Sequence, residues 1–137
     1  MTTKTTSIIA LTMIALAFLV GAVLWNHLPD QMASHWNAND QVDGYMSKFW
    51  GVFLMPLITM GMLVLFLVFP NIDPLKANIA QFRESFNLFI VLIVAFMLYV
   101  HGLTLAWSLG YQNFKMSAAM LPFMGVLFIA IGFMLRK

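Results

Sequence analysis

The sequence predicts an all-α integral membrane protein, a bundle of four transmembrane helices with a structured extracellular first loop. Three observations predict it. Apolar residues gather into four stretches, about 7–25, 49–69, 86–109 and 116–135, and each approaches the roughly 20 residues that cross about 30 Å of hydrocarbon. None of the four contains Asp, Glu, Lys or Arg. The chain as a whole is 62% hydrophobic and 9% charged over 137 residues, so it lacks the polar surface to hide four such helices from water. In lipid the backbone must satisfy its own polar groups, so the spans are helices.

The first span follows Lys4. Its apolar run exceeds the roughly 7–15 residues of a secretory leader, and no small-residue cleavage pattern follows it. It reads as an uncleaved anchor, and 1–137 reads as a single membrane domain. The second span carries Pro56 and the fourth Pro122. Both predict kinks, which neighbouring helices can compensate. In the fourth span Ala118, Gly125 and Gly132 recur every seven residues, a stripe on which another helix can approach closely. Packing within the chain is the first reading, and a homo-oligomer interface the second.

Asn87, His101 and Ser108 in the third span are spaced by multiples of seven, with Thr104 a turn from His101. They predict a polar face turned into the bundle. An ionisable residue within a span is a functional candidate. A neutral His101 hydrogen-bonded to a neighbouring helix is the plain alternative. A proton relay would need a buried carboxylate, and no span has one. Ligand contact and conformational coupling stay open.

Charge sets the orientation. Lys4, Lys76, Arg83, Arg136 and Lys137 fall on one side of the spans, and only Lys48 and Lys115 on the other. The positive-inside rule then places both termini in the cytoplasm of a cell-membrane protein. Trp25, Trp50 and Trp107 end spans on the outer side, with Trp36, Tyr45 and Tyr111 near them, as an interfacial aromatic belt requires. The inner boundary has phenylalanines instead, Phe69, Phe82 and Phe86. There are no cysteines, which excludes disulfides, thiolate metal sites and a cysteine nucleophile. The scattered basic residues form no nucleic-acid patch. No nucleophile–base set, phosphate loop or paired carboxylates within a span suggest an enzyme, and nothing calls for a cofactor.

The loop Asn26–Lys48 is the densest polar stretch. It holds His27 and His35 and three of the five acids, Asp30, Asp40 and Asp43. Asn37–Asp40 and Asp43-Gly44 are turn signals. They predict a compact cap with a short hairpin, with Lys48 anchoring the second span. Three readings stay open: a solvated connector, a metal site, and recognition of an extracellular peptide. The histidines and acids are ligand types, but their spacings match no closed zinc set. Aromatic anchors and acids suit a cationic or amphipathic peptide. In the second loop, 70–85, Asp73 and Pro74 are suited to cap and start a short interfacial helix.

The run Leu28-Pro29-Asp30-Gln31, His35-Trp36-Asn37 and Asp43 to Gly51 resembles the first-loop signature of the SdpI family of bacterial immunity proteins and its membrane domain of unknown function. Asp73-Pro74, Asn78, Phe82, His101 and Gly110 extend the resemblance along the chain. It implies protection against, or sensing of, a secreted peptide toxin, with signalling to a cytoplasmic ArsR-type repressor. By that resemblance the outer motif positions are Pro29, His35, Asp43, Gly44, Tyr45 and Lys48, with Trp36 beside them. Asp73, Pro74, Lys76, Asn78 and Arg83 would face the cytoplasmic partner. The sequence departs from the family at the loop turn, where Asp40 or a neighbour replaces a glycine. Longer members also continue into a further membrane region with a Thr-Pro-Trp-type motif, so the chain reads as a short member or as part of a longer protein. The alternatives to this function are a small transporter using His101 and an accessory or structural subunit of a larger membrane complex.

Overall fold

A computed structural model describes residues 1–72 and 81–135. Among them are four helices long and apolar enough to cross a membrane. These are α1 (Thr3–Leu24), α2 (Lys48–Ile72), α3 (Arg83–Ser108) and α4 (Met116–Leu135). Between α1 and α2 lie a short 3₁₀ turn, Trp25–His27, and an antiparallel pair, β1 (Gln31–Trp36) and β2 (Val42–Ser47). The hairpin therefore caps one end of the bundle, and α1 begins at the other. Span positions match the sequence reading to within a few residues, because bilayer thickness fixes helix length.

Local chemistry sets the ends. Thr2 accepts a hydrogen bond from the Thr5 amide at 3.2 Å and caps α1. At the far end of α3, Gly110 has φ +97°. Its amide donates to the Trp107 carbonyl and the Tyr111 amide to the Ala106 carbonyl. That pair of bonds closes a helix whose terminal residue is left-handed, a conformation glycine adopts without strain. α2 runs as helix through Pro56 and Pro70, and α4 through Pro122.

Three helices make the core and the fourth leans on it. α1, α2 and α3 pack mutually, whereas α4 packs chiefly on α3. Ala10, Ile14, Leu63, Ile90 and Val94 form one buried cluster deep in the bundle. Leu28, Met32, Val52 and Leu105 form a second beneath the hairpin. Lipid is as apolar as leucine, so contact quality rather than water exclusion holds such helices together. Two glycines supply the close contacts. A methyl on Gly21 would meet Val52 Cγ1 at 2.5 Å, so α1 can cross α2 there only with glycine. A methyl on Gly51 would meet the Met32 sulfur and Cβ at 2.7 and 2.8 Å. That notch seats the hairpin on the first turn of α2.

Two sequence expectations are corrected. Ala118, Gly125 and Gly132 pack against none of the described residues. All three are exposed, and nothing lies within 4 Å of a methyl placed on either glycine. A seven-residue repeat aligns small residues but does not choose which side of α4 faces α3. That choice falls to Phe123, which stacks on Tyr99 at 4.8 Å, and to the Tyr99 hydroxyl, which donates to the Ala119 carbonyl at 2.9 Å. The second correction concerns Asp43-Gly44, which is no turn and lies inside β2.

Replacing Gly51 with Val should lower the thermal stability of the detergent-solubilised chain by about 1–3 kcal/mol through overpacking. Adding Met32→Ala should recover part of the loss. A Gly51→Val protein as stable as the parent would show that the notch is not tight.

Candidate functional site

The hairpin gathers the residues singled out in the first loop. Its turn is built by Asn37. The Asn37 side-chain oxygen accepts from the Asn39 and Gln41 amides at 2.9 and 3.1 Å, and its own amide donates to the Gln41 carbonyl. Asn is well suited to such a turn because its side chain imitates a backbone acceptor. Asp40 adopts φ +59°, at or next to the turn position where the resemblance expects glycine.

Pairing along the strands is irregular on both sides of His35. Ala33 faces Tyr45, His35 faces Gly44 and Trp36 faces Val42, leaving Ser34 and Asp43 as bulged positions. Bulges re-aim side chains. Here they bring His35 Nδ1 to 2.5 Å from Asp43 Oδ1 on the exposed face. Gly44 makes this possible, since a methyl there would meet His35 Cβ at 2.9 Å. Its glycine therefore reflects cross-strand crowding. Tyr45 is 64% exposed beside this pair. An exposed pair of this kind adds little stability, so its value lies in the polar surface it presents.

The other first-loop candidates do structural work. Lys48 Nζ sits 3.3 Å from Asp30 Oδ1 and lies over the Trp25 ring, 5.5 Å from its centre. The Lys48 amide also donates to the Asp30 carbonyl at 2.9 Å. These contacts pin the strand entry to the strand exit. Trp36 meets Trp107 of α3 edge-on, with ring centres 5.8 Å apart. Its indole N–H is buried and has no acceptor.

The polar residues of α3 are not one site. Asn87 Nδ2 donates to the Met1 carbonyl and Thr3 Oγ1, binding the start of α1. Arg83 Nε also donates to Thr3 Oγ1, at 3.1 Å, so its position serves the bundle. His101 lies 14 residues along α3 from Asn87, roughly 21 Å at 1.5 Å per residue. It is buried, with no partner for Nε2. Thr104 and Ser108 return their hydroxyls to the carbonyls of Val100 and Thr104 on their own helix. Asp73, Pro74, Lys76 and Asn78 lie outside the described residues. Among the described residues, no three His, Asp or Glu side chains converge as a metal-holding group.

Sequence reasoning weighed Asp40 only as a loop acid of metal-ligand type and missed its contact with α4. Its two carboxylate oxygens accept from the Ser117 amide at 2.8 Å and the Ser117 hydroxyl at 2.6 Å. The hairpin turn thus caps the first turn of α4, where free amides favour an anion. The Ser117 bonds hold the Asp40 carboxyl below its usual 3.8, with Lys115 adding a smaller attraction. The nearest signal in the sequence was the departure from the resembled family at Asp40 or a neighbour.

A family model for a domain of unknown function (DUF1648) matches residues 12–60, which run from within α1 through the hairpin into α2. That domain is found in SdpI-like membrane proteins. No curated protein and no solved structure matches the chain.

Replacing Asp40 with Ala should raise amide hydrogen exchange in the first turn of α4, while Asp40→Asn, which keeps an acceptor, should raise it less. Because the folded pKa is depressed, the clasp is fully present above the unfolded value of about 3.8. It is lost as pH falls through the lower folded value. Exchange in that turn should therefore be flat with pH, after correction for the intrinsic rate, down to about 4. Unchanged protection in both variants would show that the clasp does not hold α4.

Proposed function

We propose that this membrane protein protects its cell from, or senses, a secreted peptide toxin through the hairpin. It would act without enzymatic chemistry, in the cell membrane, with both termini in the cytoplasm. The carrying observation is the face made by His35, Asp43 and Tyr45. Bulges and Gly44 hold His35 and Asp43 together, with Tyr45 exposed two residues along β2, on a strand pair that is itself locked onto the bundle, which lowers the ordering cost of binding. Trp25, Trp50, Trp107 and Tyr111 ring the same end, where an amphipathic peptide would arrive along the membrane surface. The DUF1648 match over the hairpin supports an SdpI-like role. On that reading an ArsR-type repressor would answer at the opposite end, where the residues expected to meet it are Asp73, Pro74, Lys76, Asn78 and Arg83.

A second reading, a structural subunit of a larger membrane complex, draws on the outward Ala118, Gly125 and Gly132 of α4. Among the described residues nothing covers that stripe.

In a toxin-sensitive bacterium, His35→Ala, Asp43→Ala and Tyr45→Ala should each lower tolerance to the toxin about tenfold or more, equivalent to about 1.4 kcal/mol of binding, at unchanged membrane levels. Full protection by all three would end the hairpin reading. Gly125→Leu should leave the folded monomer intact but abolish co-purification with a partner or second copy. Unaltered co-purification would remove the subunit reading.

A further inference from the structure

Beneath the hairpin the bundle is incompletely filled. A cleft of about 460 Å³ separates α2 from α4, with α3 as its floor and the hairpin turn as its roof. That size lies within the roughly 300–1,000 Å³ typical of ligand pockets. Its walls carry Met55 from α2 and Met116, Met120 and Met124 from α4. Unbranched, polarisable methionines adapt to differently shaped apolar groups. Two polar features meet these walls. Trp36 lines the cleft and carries a buried indole N–H with no acceptor. Asp40 lines it too, bonded through its carboxylate to neutral donors on Ser117, while Lys115 forms no ion pair with it.

An apolar wall and a carboxylate bonded only to neutral donors describe an occupant by complement. It has an apolar group and a positive charge close together. A lysine-bearing amphipathic peptide offers both. The hairpin's charge points the same way, since residues 26–48 hold three aspartates and one lysine, and that lysine is paired with Asp30.

We propose that this cleft receives an apolar side chain of a cationic amphipathic peptide, with the Trp36 ring and the methionines as its walls and Asp40 meeting its ammonium groups. The proposal rests on the hairpin being a peptide receptor and places the anchoring pocket of that receptor between α2 and α4. Binding energy then concentrates in a few side chains driven into a desolvated pocket, while His35, Asp43 and Tyr45 supply the approach surface.

The test uses the full chain in phosphatidylcholine nanodiscs with a photo-crosslinking phenylalanine at Met120, or at lipid-exposed Val126 as control. The probe is a synthetic amphipathic lysine–leucine peptide, compared with a scrambled isomer of equal charge. The expected result is crosslinking of the amphipathic peptide at position 120 and not at 126. Filling the cleft with Met124→Trp, or more gently with Met120→Phe, should weaken peptide binding about tenfold at an unchanged melting temperature. Asp40→Asn should weaken binding and reduce its salt dependence. Equal crosslinking at 120 and 126, crosslinks at 120 to lipid alone, or full binding by the filled variants would overturn the proposal. The killing assay separates the two claims. If Tyr45→Ala, outside the cleft, loses protection and Met124→Trp keeps it, the cleft fails and the hairpin reading stands. If the cleft binds the peptide but no hairpin variant alters protection, the cleft stands and the hairpin reading fails.

Discussion

Everything at the hairpin end depends on Met32 fitting against Gly51. Met32 is wholly buried, and a single methyl on Gly51 would collide with it. Burial of such a side chain contributes about 1.5–3 kcal/mol. Geometry matters more than that amount, because the fit decides where β1 lies relative to α2. An isolated two-stranded hairpin is marginal in water. This one is held by Met32, by Lys48 across its base and by Asp40 at its tip. With the hairpin fixed, the His35–Asp43 pair must face outward and Trp36 must lie against Trp107. A looser seat would dissolve the polar face and the cleft together.

The bilayer explains how the remaining polar groups are handled. Thr59, Thr104 and Ser108 each return a hydroxyl to a carbonyl four residues earlier, so they cross the membrane without requiring a neighbour. Asn87 is different, since it ties α3 to the start of α1 at the end opposite the hairpin. The same bundle is thus fastened by polar contacts at both ends and by apolar packing between them. His101 falls on the buried face of α3, between Val94 of the deeper cluster and Leu105 of the upper one. Its unpartnered Nε2 is the one side-chain nitrogen of the mid-membrane core, among the described residues, that this economy leaves unsatisfied.

How much could be read from the sequence follows from the range of each interaction. The four spans were legible because bilayer thickness acts on each segment alone. The Asn37–Asp40 turn was legible because its bonds are local. Asp43-Gly44 misled for the same reason, since the dipeptide is a good turn signal. Its glycine is instead set by His35 on the opposite strand, which no local rule sees. The Ala118, Gly125 and Gly132 stripe showed that a close approach is permitted but not by what. The Asp40–Ser117 clasp joins residues 77 apart in sequence, so its pairing was invisible, although the departure from the resembled family at Asp40 or a neighbour was not. Of the first-loop residues singled out, Asp43, Gly44 and Tyr45 are consecutive in β2 and His35 lies opposite Gly44, so the hairpin brings them together, whereas Lys48 turns to Asp30 and Trp36 to Trp107.

Unequal packing gives the bundle a direction in which it can respond. α1, α2 and α3 hold one another on several sides, and moving any of them breaks the deeper buried cluster. α4 is held along α3 by Tyr99 and its aromatic neighbours, and at its first turn by Asp40. Those two attachments are unlike. The Tyr99 contacts lie along the helix and would let it pivot, whereas the Asp40 bonds are confined to its tip. A ligand that engages the hairpin turn competes for the same carboxylate that holds α4. Such a ligand would release the one helix whose displacement costs the core least.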